Sequence, residues 1–154
     1  MPDSSGARNE ALRLFERRFG VPPDALADLT FVERPGEIWA TRSRPPSGIE
    51  YDRPAGLRAL RRVGSDLKPT SAFLAALGDR ITASRVDLDR DSLRAVLLGR
   101  RVLLPAPPSD GYVALRYRGD VLGCGHLRGG LLHALIPTGR RRELLAALAA
   151  DPRS

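Results

Sequence analysis

A cysteine, a histidine and four glycines stand within eight residues in Gly123-Cys124-Gly125-His126-Leu127-Arg128-Gly129-Gly130, and a second histidine follows at 133. Thiolate and imidazole are preferred zinc ligands, and a thiol beside a histidine base is one form of activated nucleophile. Glycines 123, 125 and 129 have the density of a phosphate-cradling loop. Each of these chemistries lacks a part. No fourth ligand at metal-site spacing accompanies the trio. A nucleotide loop must run into a helix N-terminus, whereas an apolar strand and Pro137 come next. A cysteine in mid-strand, facing the core, packs as a small hydrophobe. No catalytic residue, metal or cofactor is therefore expected. The chemistry that remains is ionic: residues 111–142 hold Arg116, Arg118, Arg128, Arg140, Arg141 and Arg142 against one acid, Asp120, and supply +5 of the formal +7.

Positive charge rises after the first third of the chain. Residues 57–110 add +4, while residues 1–56 and the stretch after Arg142 each stand at −1. A basic field attracts polyanions and gains from the counterions they release. Twenty-four arginines accompany a single lysine, Lys68, and arginine grips phosphate bidentately and stacks on bases better than lysine does. Arg61, Arg62 and Lys68 extend the basic set upstream, with Lys68 at a predicted helix start where its ammonium could sit beside a phosphate.

The elements that must position these side chains follow from periodicity. Residues 7–19 carry Leu12, Phe15 and Phe19 at helical spacing, stopped by Gly20 and Pro22-Pro23. Residues 30–34 and 37–41 form a hairpin around Pro35-Gly36, with Trp39 expected in the core. Residues 41–54 have loop composition and suggest a boundary between two units. Residues 57–63 read as a strand, 69–77 as a helix opened by proline and closed by Gly78, 85–88 as a strand, and a helix capped by Asp89 or Asp91 runs through Leu98. A short strand at 102–104 leads to three strands within 111–136, followed by a loop ending in the arginine triplet.

A two-residue turn at Gly119-Asp120 would pair Tyr117 with Leu122, Leu115 with Cys124 and Val113 with His126 on one apolar face. Arg116 would then oppose Gly123, and Ala114 would oppose Gly125, baring backbone beside an arginine for phosphate or ribose to approach. The alternative for these glycines is relief of crowding in a closing barrel, and the two readings are compatible. A second turn at Gly129-Gly130 places His126 across from His133. Tyr112 and Tyr117 are candidate base-stacking residues, with core packing the stronger reading for Tyr117.

At 154 residues the chain suits one compact domain or two small interdependent units. No apolar run approaches a membrane span and the N-terminus is polar, so a soluble, cytoplasmic protein is expected. The single cysteine agrees with a reducing compartment.

Three segments in order carry a family resemblance: Asp66-Leu67-Lys68-Pro69-Thr70 leading into a helix with Phe73 and Gly78, then residues 85–99, then GYVALRYRGDVLGCG with LIPTGRR. Over roughly residues 57–142 the chain resembles the PUA-like RNA-binding region of the Sun/Fmu family of RNA cytosine-C5 methyltransferases. The helix end at residues 18–26 and the hairpin at residues 31–40 look like the module that precedes such domains in stand-alone archaeal-type relatives. The resemblance implies an α+β fold, a small N-terminal α+β module (residues 1–56) before a PUA-like β-barrel with short helices (residues 57–154). It implies binding of rRNA or tRNA, in RNA modification or ribosome biogenesis. The RNA-contacting set expected is Arg61, Arg62, Lys68, Arg116, Arg118, Gly123, Gly125, Arg128, Arg140, Arg141 and Arg142. The chain departs from the family in showing neither a sulfonium-cofactor glycine loop after a strand nor a Pro-Cys catalytic pair, so a non-enzymatic protein is expected. Its partners would be RNA and an RNA methyltransferase or ribosome-assembly factor, with no membrane. An adaptor or accessory subunit of an RNA methyltransferase is the alternative.

Overall fold

The computed structural model describes residues 4–42 and 56–152, and the loop expected at 41–54 lies outside the described residues from 43 onward. Helix α1 (Ser4–Phe19) places Ala7, Ala11, Phe15 and Phe19 on one stripe, every fourth residue, and all four are buried. That stripe lies on an antiparallel sheet of β1 (Leu29–Arg34), β2 (Glu37–Arg42), β3 (Leu57–Val63) and β4 (Asp66–Pro69), in that spatial order. Phe31, Ile38, Ala40, Ala59 and Leu60 come from the sheet side of this core. Trp39 does not. Alternation puts Ile38 and Ala40 on the core face and leaves Trp39 half-buried on the other, which corrects the expectation that the indole anchors the core.

Helix α2 (Ser71–Leu77) starts two residues later than the sequence suggests, because Pro69 belongs to β4 and Thr70 is the cap: its hydroxyl accepts from the Phe73 N–H at 3.1 Å. α2 packs against both β3 and β8 (Asp120–Arg128). Phe73 brings its ring 5.1 Å from Phe15 and 6.4 Å from Phe31, tying helix, sheet and helix together.

The second sheet has the order β5-β7-β8-β9-β6, built from β5 (Arg85–Asp87), β6 (Val102–Leu103), β7 (Gly111–Tyr117), β8 and β9 (Leu131–Ala134). β5 runs parallel to β7 and the remaining pairs are antiparallel. Helix α3 (Arg90–Leu97), capped by Asp89 on the Ser92 N–H at 2.8 Å, bridges β5 and β6. Helix α4 (Thr138–Ala150) follows β9. The arginine triplet therefore sits in the first turn of a helix, where a loop was expected. Leu93, Val96 and Leu97 from α3 and Leu148 from α4 cover Val113, Leu115, Leu127 and Leu132, forming a second core on the opposite face of the sheet from the first. The chain is α+β, a helix-and-sheet unit followed by a curled, PUA-like sheet with short helices.

The first sheet crosses residue 56. β3 pairs with β2, joining Ile38 to Leu60, and β4 hangs on β3. A chain beginning at Leu57 would lack β1 and β2 together with Phe15, Phe19, Phe31 and Ile38, all fully buried. Expression of residues 57–154 alone is expected to give no cooperative thermal transition by circular dichroism, whereas the full chain melts in one.

Candidate nucleic-acid interface

The β7–β8 ribbon is the centre of the expected interface. Its turn uses Arg118 and Gly119, with φ of 49° and 86°, the doubly positive pattern that suits a two-residue hairpin. An arginine thus takes a left-handed conformation that residue type alone would assign to the following Gly-Asp pair. Tyr117 pairs with Asp120 and Arg116 with Val121, then a bulge at Leu122 resets the ladder so that Leu115 meets Gly123, Ala114 meets Cys124 and Val113 meets Gly125. The expected pairs Arg116–Gly123 and Ala114–Gly125 do not form.

The consequence for Gly123 and Gly125 is that both are buried. A Cβ at Gly123 would lie 2.7 Å from Ile136 Cγ1 and 2.8 Å from Ser71 Oγ, and one at Gly125 would lie 2.9 Å from Leu115 Cδ2. They permit close packing inside the fold and offer no bared strip at the surface. Ser71 uses the space at Gly123. Its hydroxyl accepts from the Cys124 N–H at 2.9 Å and donates to the Leu135 carbonyl at 3.4 Å, while the Leu135 N–H donates directly to the Cys124 carbonyl at 2.8 Å. The side chain of α2 stands where strands β8 and β9 begin to part, and it completes the ladder there.

Cys124 lies fully buried on the first core's face, and burial pushes its thiol up to about 12, with the Lys68 ammonium opposing weakly. A thiol held protonated is a poor nucleophile. His126 does stand across from His133, as the Gly129-Gly130 turn requires. Tyr112 pairs with His126 from the other side, with the rings edge-to-face at 5.2 Å. Among the described residues no group of three or more His, Cys, Asp and Glu is placed to hold a metal.

The structure distributes the expected cations over four places. Arg61 and Lys68 are cross-strand neighbours on β3 and β4. Arg62, on the same sheet, is held by Glu10 at 2.9 Å and by Glu33 at 2.5 Å, and those carboxylates raise its pKa. Arg116 forms a two-point bond to Asp87, 2.5 Å from Nε to Oδ1 and 3.1 Å from Nη2 to Oδ2. That bond holds the Asp87 carboxyl below its ordinary range and raises Arg116 in turn. Arg118 lies 3.2 Å from Asp151 and 5.2 Å over the Tyr117 ring. Arg128 is exposed at the other end of β8. In α4, Arg140 pairs with Glu143 at 3.0 Å, Arg141 donates to Thr138 Oγ1 at 3.1 Å, and Arg142 is exposed. Among the described residues Arg61, Lys68, Arg128 and Arg142 take part in no ion pair.

Sequence reasoning did not single out α1 as part of the surface. Arg13 and Arg17, one turn apart, border a groove completed by Leu14, Ser65, Asp66 and Leu67. Their i, i+4 spacing opposite the buried stripe was the available signal. Arg18 turns inward instead, donating to the Tyr112 carbonyl at 2.7 Å and to Ser109 Oγ at 2.6 Å, and desolvation lowers its pKa.

With this geometry in place, residues 83–142 match the family model described as the methyltransferase RsmF PUA domain. That match takes in β5 through β9 and the start of α4 and falls within the residues 57–142 over which the sequence resembles a PUA-like region. The ribosomal RNA small subunit methyltransferase F of Aeromonas salmonicida (strain A449) is 29% identical over 138 residues, which make up 87% of this chain and 27% of the methyltransferase. The chain thus spans about a quarter of the length of that relative, and the model it matches is that of the PUA domain.

Four outcomes test this interior. Gly123→Ala forces a methyl against Ile136 and Ser71 and is expected to destabilise by about 1–3 kcal/mol, with Ser71→Ala in the same range because it strips the partner from a buried N–H; urea melts measure both. Cys124 should resist iodoacetamide in the folded protein and react once unfolded. Because its folded pKa is raised, the stability this thiol contributes is complete below its unfolded value and lost as the pH climbs toward about 12, which alkaline melts would register.

Proposed function

We propose that this chain is a non-enzymatic RNA-binding protein that engages rRNA or tRNA in RNA modification or ribosome biogenesis in the cytoplasm. The observation that carries the reading is the match of residues 83–142 to the PUA domain of a ribosomal RNA methyltransferase. It is supported by the division among the cations. Arg62, Arg116, Arg118 and Arg140 are engaged with carboxylates of the fold, whereas Arg61, Lys68, Arg128 and Arg142 keep their charge for an external anion. α4 adds to this, since its first turn holds no acidic residue and its N-cap Pro137 supplies no side-chain bond, leaving amide N–H groups beside Arg140 and Arg142 for phosphate oxygens. An RNA methyltransferase or a ribosome-assembly factor is the protein partner this reading supports. Among the described residues no helix is long and apolar enough to cross a membrane.

Fluorescence anisotropy with a structured RNA should give an affinity that falls steeply with salt. An Arg128→Ala/Arg142→Ala variant should flatten the slope of log affinity against log salt by up to ~2. Binding indifferent to salt and to this substitution would refute the electrostatic basis of the proposal.

A further inference from the structure

Three adjacent strands of the second sheet line up three rings. Tyr112 on β7 pairs with His126 on β8, and His126 pairs with His133 on β9, so the phenol and the two imidazoles form one row across the sheet on a single face. All three are half-buried, at the margin where the first core gives way to solvent. An edge-to-face pair uses the face of one ring and only the edge of the other, so the Tyr112–His126 contact leaves ring surface unspent. Strand alternation puts Arg128, exposed and outside any ion pair among the described residues, on the same face two positions beyond His126.

We infer that the Tyr112–His126–His133 row, with Arg128 on the same face, is a stacking platform for unpaired nucleotides of single-stranded RNA. The inference rests on the proposed RNA binding and assigns it a substrate form. Rings across neighbouring strands offer flat apolar area to bases that have left a helix, and every base has a face to stack. A duplex keeps its bases inside and presents only backbone to such a row. Arg128 on the same face suits a phosphate of a strand laid across the sheet. Two carboxylates lie nearby, and neither closes the face. Asp110 accepts from the Gly129 N–H at 3.0 Å, and Asp66 sits in the groove under α1, near enough to help raise the Tyr112 phenol, whose shift comes first from burial.

The test compares the full chain with His126→Ala and Tyr112→Leu, the second keeping apolar volume while removing the ring. Anisotropy is read with a fluorescein-labelled single-stranded hexaribonucleotide and with a hairpin RNA whose bases are all paired apart from a tight loop. Circular dichroism melts confirm that each variant is folded, and Tyr112→Phe, which preserves the ring, should bind as the parent does. The platform predicts that each ring-removing variant loses about tenfold affinity for the hexamer while hairpin affinity changes less than twofold. Equal losses on both RNAs, or no loss on the hexamer, would overturn the platform and leave RNA binding intact. No binding of the parent chain to either RNA would overturn both the platform and the function proposed above. Should Tyr112→Leu fail to fold, His126→Ala decides the outcome alone.

Discussion

The hydroxyl of Ser71, lodged against Gly123, is the constraint around which the molecule closes. It enters where β8 and β9 separate, takes the Cys124 N–H and returns a hydrogen bond to the Leu135 carbonyl. A buried strand cannot leave a polar backbone group without a partner, because the unmade bond costs about 1–3 kcal/mol. β9 can therefore end and turn toward α4 only because a side chain from another part of the chain finishes its ladder. The same bond fixes the N-terminus of α2 on the second sheet while Phe73 and Leu74 reach the first core. One small side chain and one missing Cβ thus hold the α1-covered sheet to the PUA-like sheet.

Packing on both faces of that second sheet shapes what its charges are free to do. Arg116 is drawn to Asp87 on the parallel edge strand, and Arg118 stacks on Tyr117 and reaches Asp151 beyond α4, so these two arginines brace the ribbon. Exposed ion pairs contribute little individually, but a two-point guanidinium–carboxylate bond fixes geometry as well as charge. Cations with no acid in reach, Arg128 and Arg142 among them, stand at the ends of elements where the fold asks nothing of them. Ion pairs of the fold sit on the first sheet, at the β5–β7 edge, at the hairpin tip and within α4, while among the described residues the cations outside any ion pair sit on the first sheet (Arg61, Lys68), at the end of β8 (Arg128) and in α4 (Arg142).

Much of this order was legible in the sequence, and the failures have local causes. Both strands of the first hairpin, the β7–β8–β9 meander, the cap at Asp89 and the His126–His133 register follow from glycine turns and alternation. The β7–β8 register was missed because Arg118 adopts a left-handed backbone that side-chain type disfavours, and because the bulge at Leu122 leaves no compositional mark. That shift reverses the meaning of Gly123 and Gly125, from a surface for a ligand to room for Ser71, Ile136 and Leu115. Helix α4 was hidden by its own arginines, although Leu144, Leu145 and Leu148 behind Pro137 carry a helical spacing. Trp39 was assigned to the core by its size, whereas strand alternation gave that face to Ile38 and Ala40. Which arginines the fold itself engages was beyond the sequence, since their carboxylate partners come from elements as far away as Glu10 and Asp151.

β8, like its neighbour β7, is lined by both hydrophobic layers, with Val121 and Cys124 in one and Leu127 in the other. Its amides are thus shielded by two sets of side chains that belong to different helices. For solvent deuterium to reach them, α2 must lift from one side or α3 and α4 from the other, and either departure exposes a layer that the remaining elements cannot cover. The strand therefore couples the two halves in exchange as well as in space: its slowest amides report the opening of the whole molecule, while the hairpin tip at Arg118 and the turn at Gly129 exchange through local motions of their own.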